Sequence, residues 1–138
     1  MVPDPKTLVA IVAVLFCLGY FAMASVPFLF VRLDVPEVWR LFRGLFAVYF
    51  WVVGLAGLLA ALAFATSGHI VFTASMLLLA VTLVAARKAV LQRIDARQTA
   101  GRSGDVAALR QLRLIHWGAM LVNLAILASV AGSIPYIF

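Results

Sequence analysis

Residues 70–113 read IVFTASMLLLAVTLVAARKAVLQRIDARQTAGRSGDVAALRQLR: 70–86 carry no charge, and 87–113 then carry seven Lys or Arg against two Asp. An apolar run that ends at a basic stretch is the pattern of a helix crossing a bilayer and meeting its cytoplasmic surface. Charged side chains are expensive at the bilayer centre, and Lys and Arg collect in the cytoplasmic loops. Outward from this stretch lie three more apolar runs, at 8–31, 41–65 and 114–134. A span takes about 20 apolar residues at a rise of about 1.5 Å each. The run 70–86 is short by that measure, so its helix is expected to begin at Gly68 or His69 and to continue past Arg87, whose long side chain can reach the headgroups. The fold class expected is all-α, a four-transmembrane-helix bundle forming a single domain over residues 1–138.

Composition agrees with this reading. The chain is 66% hydrophobic and 12% charged, with mean hydropathy +1.14. Soluble domains are about half apolar and a quarter charged, and a water-soluble fold built from these residues would expose large apolar patches. The net charge of +6 does not indicate nucleic acid, because the basic residues flank the apolar runs, where topology and anionic lipid account for them. The single cysteine, Cys17, lies inside an apolar run, which leaves no disulfide framework and no Cys-based zinc motif.

The charge distribution predicts an orientation. Ten of the eleven Lys and Arg residues fall within 32–43 and 87–113. The connection Thr66-Ser67-Gly68-His69 has none, Lys6 is balanced by Asp4 before the first run, and no charge follows the fourth. The first and third connections share a side, so both termini are expected to be exterior or periplasmic and the basic loops cytoplasmic. The expected location is a bacterial inner (plasma) membrane, multi-pass. Ala22-Met23-Ala24 after Leu8–Gly19 imitates a signal-peptide cleavage site. Cleavage there would put the 32–43 loop outside, and the apolar run continues to Val31, so the first run reads as a retained helix.

Local signals mark the ends. Asp34-Val35-Pro36-Glu37 has capping-box spacing and Pro36 suits a first turn, so the second helix is expected to begin near Val35. Val38, Trp39 and Phe42 then fall at the membrane interface. Pro27 is expected to end or kink the first helix. Thr99–Gly104 reads as a turn between two cytoplasmic helix extensions, the second capped by Asp105.

Inside a bilayer, small residues mark faces where helices approach closely. Gly54, Gly57 and Ala61, then Ala125, Ser129 and Ser133, then Gly19, Ala22 and Ser25 form such stripes, for packing within the bundle or between copies. No Asp, Glu or Lys lies in an apolar run, so no carrier for a midplane proton relay is visible. The best polar constellation is His116, Met120 and Asn123, on one face of the fourth helix at i, i+4, i+7. Its ordinary meaning is an interfacial histidine, a gap-filling methionine and an asparagine bonding across helices. Its sharper meaning is a haem or copper site, with Met23 and Met76 turned to the same interior. His69 belongs at the opposite membrane face and is no partner for His116. Phe46, Tyr49, Phe50 and Trp51 either pack against neighbours or line a quinone or porphyrin cavity. Trp39 and Trp117 suit the cytoplasmic aromatic belt, and Tyr136 and Phe138 the exterior one.

Two stretches carry a family resemblance. In 19–49, Pro27-Phe28-Leu29-Phe30 closes the first helix and Phe42-Arg43-Gly44-Leu45-Phe46-Ala47-Val48-Tyr49 opens the second. The other is Leu112-Arg113-Leu114-Ile115-His116 followed by Asn123-Leu124. Together they resemble the small four-helix membrane family typified by transmembrane protein 205, largely a domain of unknown function in bacteria. The resemblance covers nearly the whole chain. The positions matching the family pattern are Pro27, Gly44, Phe46, Tyr49, His116 and Asn123; the small polar residue usual three positions after the histidine is Ala119 here. That family is distantly similar to four-helix proteins of copper handling and haem synthesis, which typically use a histidine on the first helix. This chain has none there.

The function expected is that of a non-enzymatic integral membrane bundle, a scaffold, accessory subunit or stress-linked factor. The alternative is a haem- or copper-binding redox protein using the His116 face, with His116, Met120 and Asn123 toward the cofactor. No catalytic set and no metal site is otherwise expected. A small-solute transporter is less supported, since no discontinuous helix or midplane charge is visible. The expected partners are the bilayer with its anionic lipids, met by a rim of Arg43, Arg110 and Arg113, and a further copy or another membrane protein.

Overall fold

The computed structural model describes residues 4–33, 35–102 and 104–138. Four helices make up nearly all of it: α1 (Pro5–Ser25), α2 (Pro36–Thr66), α3 (Ile70–Arg102) and α4 (Val106–Ile137). All four are long and apolar enough to cross a membrane, and no strand occurs among the described residues. Each helix packs against its neighbours in the chain, and α4 returns to α1, so the bundle closes as a ring. The start of α1, the end of α4 and the α2–α3 turn lie at one end of the bundle, and the basic segments at the other.

The sequence signals explain the helix ends. Asp4 caps α1, accepting the Lys6 N–H at 3.2 Å with Pro5 in the first turn. Its carboxylate also accepts from the Ser67 hydroxyl, which ties the start of α1 to the α2–α3 turn. The Ser67 hydroxyl and the Lys6 amide hold the Asp4 carboxyl below the usual carboxylate range. α1 stops at Ser25, and a 3₁₀ turn over Val26–Leu29 follows. Pro27, without an N–H, withdraws the donor that an α-helix would supply to Met23.

The α2–α3 and α3–α4 turns are built alike. His69 N–H bonds Phe64 O at 3.0 Å while Gly68 N–H bonds Ala65 O at 3.3 Å. Asp105 N–H bonds Ala100 O at 3.3 Å while Gly104 N–H bonds Gly101 O at 3.1 Å. Both are the paired closure in which a left-handed residue follows the helix, and the glycines supply it, with φ of 78° at Gly68 and 88° at Gly104. Asp105 then caps α4, accepting from Ala107 and Ala108 N–H at 3.0 and 3.3 Å. The third connection is therefore two helix extensions meeting at a tight turn. α3 runs four residues further, through Arg102, into Thr99–Gly104 than the turn reading placed it. Residue 103 lies outside the described residues, as does Asp34 of the capping-box reading. α2 begins at Pro36, and the cap position falls on Val35, which has no capping side chain.

The core runs along α1 and α2. Ile11, Val14, Leu18 and Phe21 of α1 meet Phe42, Phe46, Val53 and Phe64 of α2, all fully or nearly fully buried. α2 and α3 approach through small residues: a Cβ at Gly57 would sit 3.5 Å from Ala80 Cβ and from Met76 O, and one at Gly54 would sit 3.2 Å from Val84 Cγ2. The stripe Gly54–Gly57–Ala61 is thus consumed inside the bundle, as small residues in membrane helices are. The α4 stripe is not consumed in this way. Ala125 and Ser129 are exposed, and they line with Ser133 an open groove of about 430 Å³ between α3 and α4.

At the basic end a bidentate ion pair joins α2 to α3: Arg43 Nε to Asp95 Oδ1 at 2.8 Å and Arg43 Nη2 to Asp95 Oδ2 at 3.2 Å. Arg87 lies across α2, with its guanidinium 5.5 Å from the centre of the Trp51 ring and Nε 3.5 Å from Ala47 O. Trp39 and Phe42, expected at the interface, are buried in the core instead, ring against ring at 6.1 Å. Trp117 and Tyr136 are exposed.

Candidate functional site

The polar face of α4 is turned into the bundle, where it grips the carbonyl oxygens of α1 and the segment after it. Arg113 Nη1 donates to Leu29 O at 2.9 Å and Nη2 to Val31 O at 2.6 Å. One turn deeper, His116 Nε2 lies 3.0 Å from Ser25 O. Two further turns in, Asn123 Nδ2 donates to Leu18 O at 3.0 Å, and its Oδ1 accepts from the Tyr49 hydroxyl at 3.0 Å. His116 and Asn123 are fully buried, and Met120 lies buried between them on the same face.

The chain has a reason to place donors there. Carbonyls in the last turn of a helix have no partner within the helix, and Pro27 adds to the shortage by lacking an N–H. A membrane interior supplies no water to satisfy them. Arg113 and His116 meet these carbonyls where α1 gives way to the 3₁₀ turn and then to the chain entering α2. The Ser25 hydroxyl turns back on Ala22 O at 3.1 Å and serves the same region.

The geometry assigns the histidine tautomer. A backbone carbonyl only accepts, so the proton is on Nε2, and in the neutral ring Nδ1 keeps a lone pair. Nδ1 is buried and, among the described residues, has no hydrogen-bond partner. The imidazole sits among Phe42, Phe46 and Phe28, with ring centres 5.4, 6.2 and 6.4 Å away. Tyr49 packs on Phe21 at 4.0 Å and on Phe50 at 5.5 Å. The aromatic run of α2 therefore packs into the core, except for Trp51, which is half exposed beneath Arg87.

His116, Met120 and Asn123 come together as the helical spacing requires. Met23 does not join them, being 77% exposed on α1, and Met76 lies against Gly57 in the α2–α3 contact. His69 packs on Phe64 and Phe72 at the opposite end of the bundle from His116. No group of three or more His, Cys, Asp or Glu occurs among the described residues. Of the basic rim, Arg43 is engaged by Asp95 and Arg113 by the two carbonyls, while Arg110 is exposed. Of the family-pattern positions, Phe46 and Tyr49 meet His116 and Asn123 directly; Gly44 is exposed with open space at its Cα.

The partners of these residues were not legible in the sequence. Leu18 and Ser25 take part through main-chain oxygens, which every residue has. The Tyr49–Asn123 bond joins positions 74 apart. One signal was available: Phe42, Phe46, Tyr49 and Val53 recur at i, i+4, i+7 and i+11, a continuous stripe facing α1 and α4. No protein family, curated protein or solved structure matches this chain.

Proposed function

We propose that this chain is a multi-pass membrane protein whose bundle acts as a fixed scaffold or accessory subunit, with no redox or catalytic group of its own. The carrying observation is how the buried polar side chains are used: Tyr49, His116 and Asn123 each bond across helices, closing α1, α2 and α4 on one another. A functional polar site needs groups that converge on a space a ligand can enter. Here they converge on main-chain oxygens and on each other. The pairing of Phe46 with His116 and of Tyr49 with Asn123 supports membership in the transmembrane protein 205-like family, whose pattern includes all four.

One observation favours the second reading, a haem- or copper-binding protein: His116 Nδ1 is an unshared lone pair inside the bundle. Phenylalanine rings surround it, and among the described residues no group of three or more His, Cys, Asp or Glu gathers beside it. The deciding experiment is an absorption spectrum with metal analysis of the detergent-purified protein, expressed with haem and copper supplied. The expected result is no Soret band and less than stoichiometric metal. A Soret band or one copper per chain, lost in His116→Ala, would establish the redox reading instead.

The orientation belongs to the same proposal. The ten-to-one distribution of Lys and Arg supports a cytoplasmic basic end, with both termini on the exterior side of a bacterial inner membrane. Reporter fusions at Phe138 should report an exterior location, and fusions at Gly104 a cytoplasmic one. The opposite pattern would reverse the assignment.

A further inference from the structure

At its basic end the α3–α4 groove is lined by Arg93 and Arg97 of α3 and by Gln111, Leu114 and Ile115 of α4, and it encloses about 390 Å³. Arg93 and Arg97 are four residues apart, on one face of α3. The only acid between them, Asp95, is two residues from each and so points to the opposite side of the helix. There it is held in the bidentate pair with Arg43. Both groove arginines are exposed, and among the described residues neither has an ion pair or hydrogen bond.

Their depth is equally specific. From Ile70, where α3 begins, Arg93 and Arg97 lie about 35 and 40 Å along the axis at 1.5 Å per residue, or about 32 and 38 Å along the normal at a typical tilt of roughly 20°. The hydrocarbon core is about 30 Å thick and the headgroups extend it to about 40–45 Å in all. Both guanidinium groups therefore start from the phosphate level, while Leu114 and Ile115 present the apolar wall that a first acyl segment would follow.

We propose that this groove binds one anionic phospholipid. Arg93 and Arg97 clamp its phosphate, for which the planar guanidinium is suited. Gln111 hydrogen-bonds the headgroup, and an acyl chain lies along Leu114 and Ile115. The site rests on the membrane-spanning reading but not on the orientation. It is distinct from the rim of Arg43, Arg110 and Arg113, two of which are engaged within the fold.

The test is native mass spectrometry of the full chain released from nanodiscs made of equal parts dioleoyl-phosphatidylglycerol and dioleoyl-phosphatidylcholine. One retained phosphatidylglycerol per chain is expected. Arg93→Gln/Arg97→Gln should lower its retention by about tenfold, the scale of losing one to two charge-assisted contacts. Arg40→Gln/Lys88→Gln removes the same charge from exposed positions outside the groove and should change retention less than twofold. Leu114→Trp, which keeps both arginines and fills the groove, should also lower it. Equal losses in the two charge variants, no effect of Leu114→Trp, or equal retention of the two lipids would overturn the site. Displacement of the lipid by millimolar inorganic phosphate would overturn it too, by showing an ion site. Failure of the chain to enter nanodiscs would overturn the membrane reading together with the groove.

Discussion

Asn123→Leu should destabilise the bundle by about 1–3 kcal/mol, measured by unfolding in mixed micelles with increasing denaturing detergent. Asn123 is fully buried and makes two inter-helix bonds, to Leu18 O and from the Tyr49 hydroxyl. Inter-helix hydrogen bonds in membranes average about 0.6 kcal/mol and reach about 1.7. The larger component is the Tyr49 hydroxyl left buried without a partner, and an orphaned buried donor costs about 1–3 kcal/mol. The double variant Tyr49→Phe/Asn123→Leu should therefore recover part of the loss, because both polar ends of that bond are then gone. A single variant as stable as the parent would show that the bond adds nothing, and a double variant worse than the single would show that the cost lies in packing.

Arg113→Met should loosen the junction between α1 and α2, at a cost of about 2–4 kcal/mol. The guanidinium spans two carbonyls, Leu29 O and Val31 O, and hydrogen bonds from charged groups contribute about 1.5–3 kcal/mol each, here reduced because the side chain is only part-buried. Methionine keeps much of the apolar stem and removes the donors. Arg113→Lys should recover only part of the loss, since an ammonium is a compact point charge and lacks the fork that reaches two oxygens at once. The site-specific readout is amide hydrogen exchange over the 3₁₀ turn at Val26–Leu29 and the segment leading to α2, which should quicken in Arg113→Met while α3 is unchanged. Unchanged exchange in that segment would mean that Pro27 and the 3₁₀ turn hold the junction without Arg113.

Much of the architecture was written in local terms. The four apolar runs, the stop at Pro27, the Gly68 and Gly104 turns and the Asp105 cap all depend on residues within a few positions of one another, and each appears in the fold, although α3 begins at Ile70 rather than at Gly68 or His69, because Gly68 takes the left-handed turn before it. The small-residue stripe of α2 was legible for the same reason: a helix repeats every 3.6 residues, so spacing shows which residues share a face. What that face meets is a different matter. The α2 stripe is packed against α3 while the α4 stripe lines an open groove, though the two look equivalent as sequence. Trp39 and Phe42 show a second limit. Their position near a helix end suggested the lipid interface, but the helix turns them inward, onto the core and His116.

The charged residues show the division most plainly. The crowding of ten Lys and Arg residues around the ends of apolar runs, and with it four membrane-length helices, was determined by the sequence alone, because burying charge in hydrocarbon is costly whatever the partners are. The sequence also determined that His116, Met120 and Asn123 share one face. Only the tertiary structure decided what each of these groups does. It turns His116 and Asn123 to carbonyls of α1 and Arg113 to carbonyls of the segment after it, commits Arg43 and Asp95 to each other, and leaves Arg93 and Arg97 facing an open groove. These outcomes depend on which helices are neighbours and how far each is rotated about its axis. Those two quantities are set by packing between residues as many as 105 positions apart, beyond the range of local periodicity.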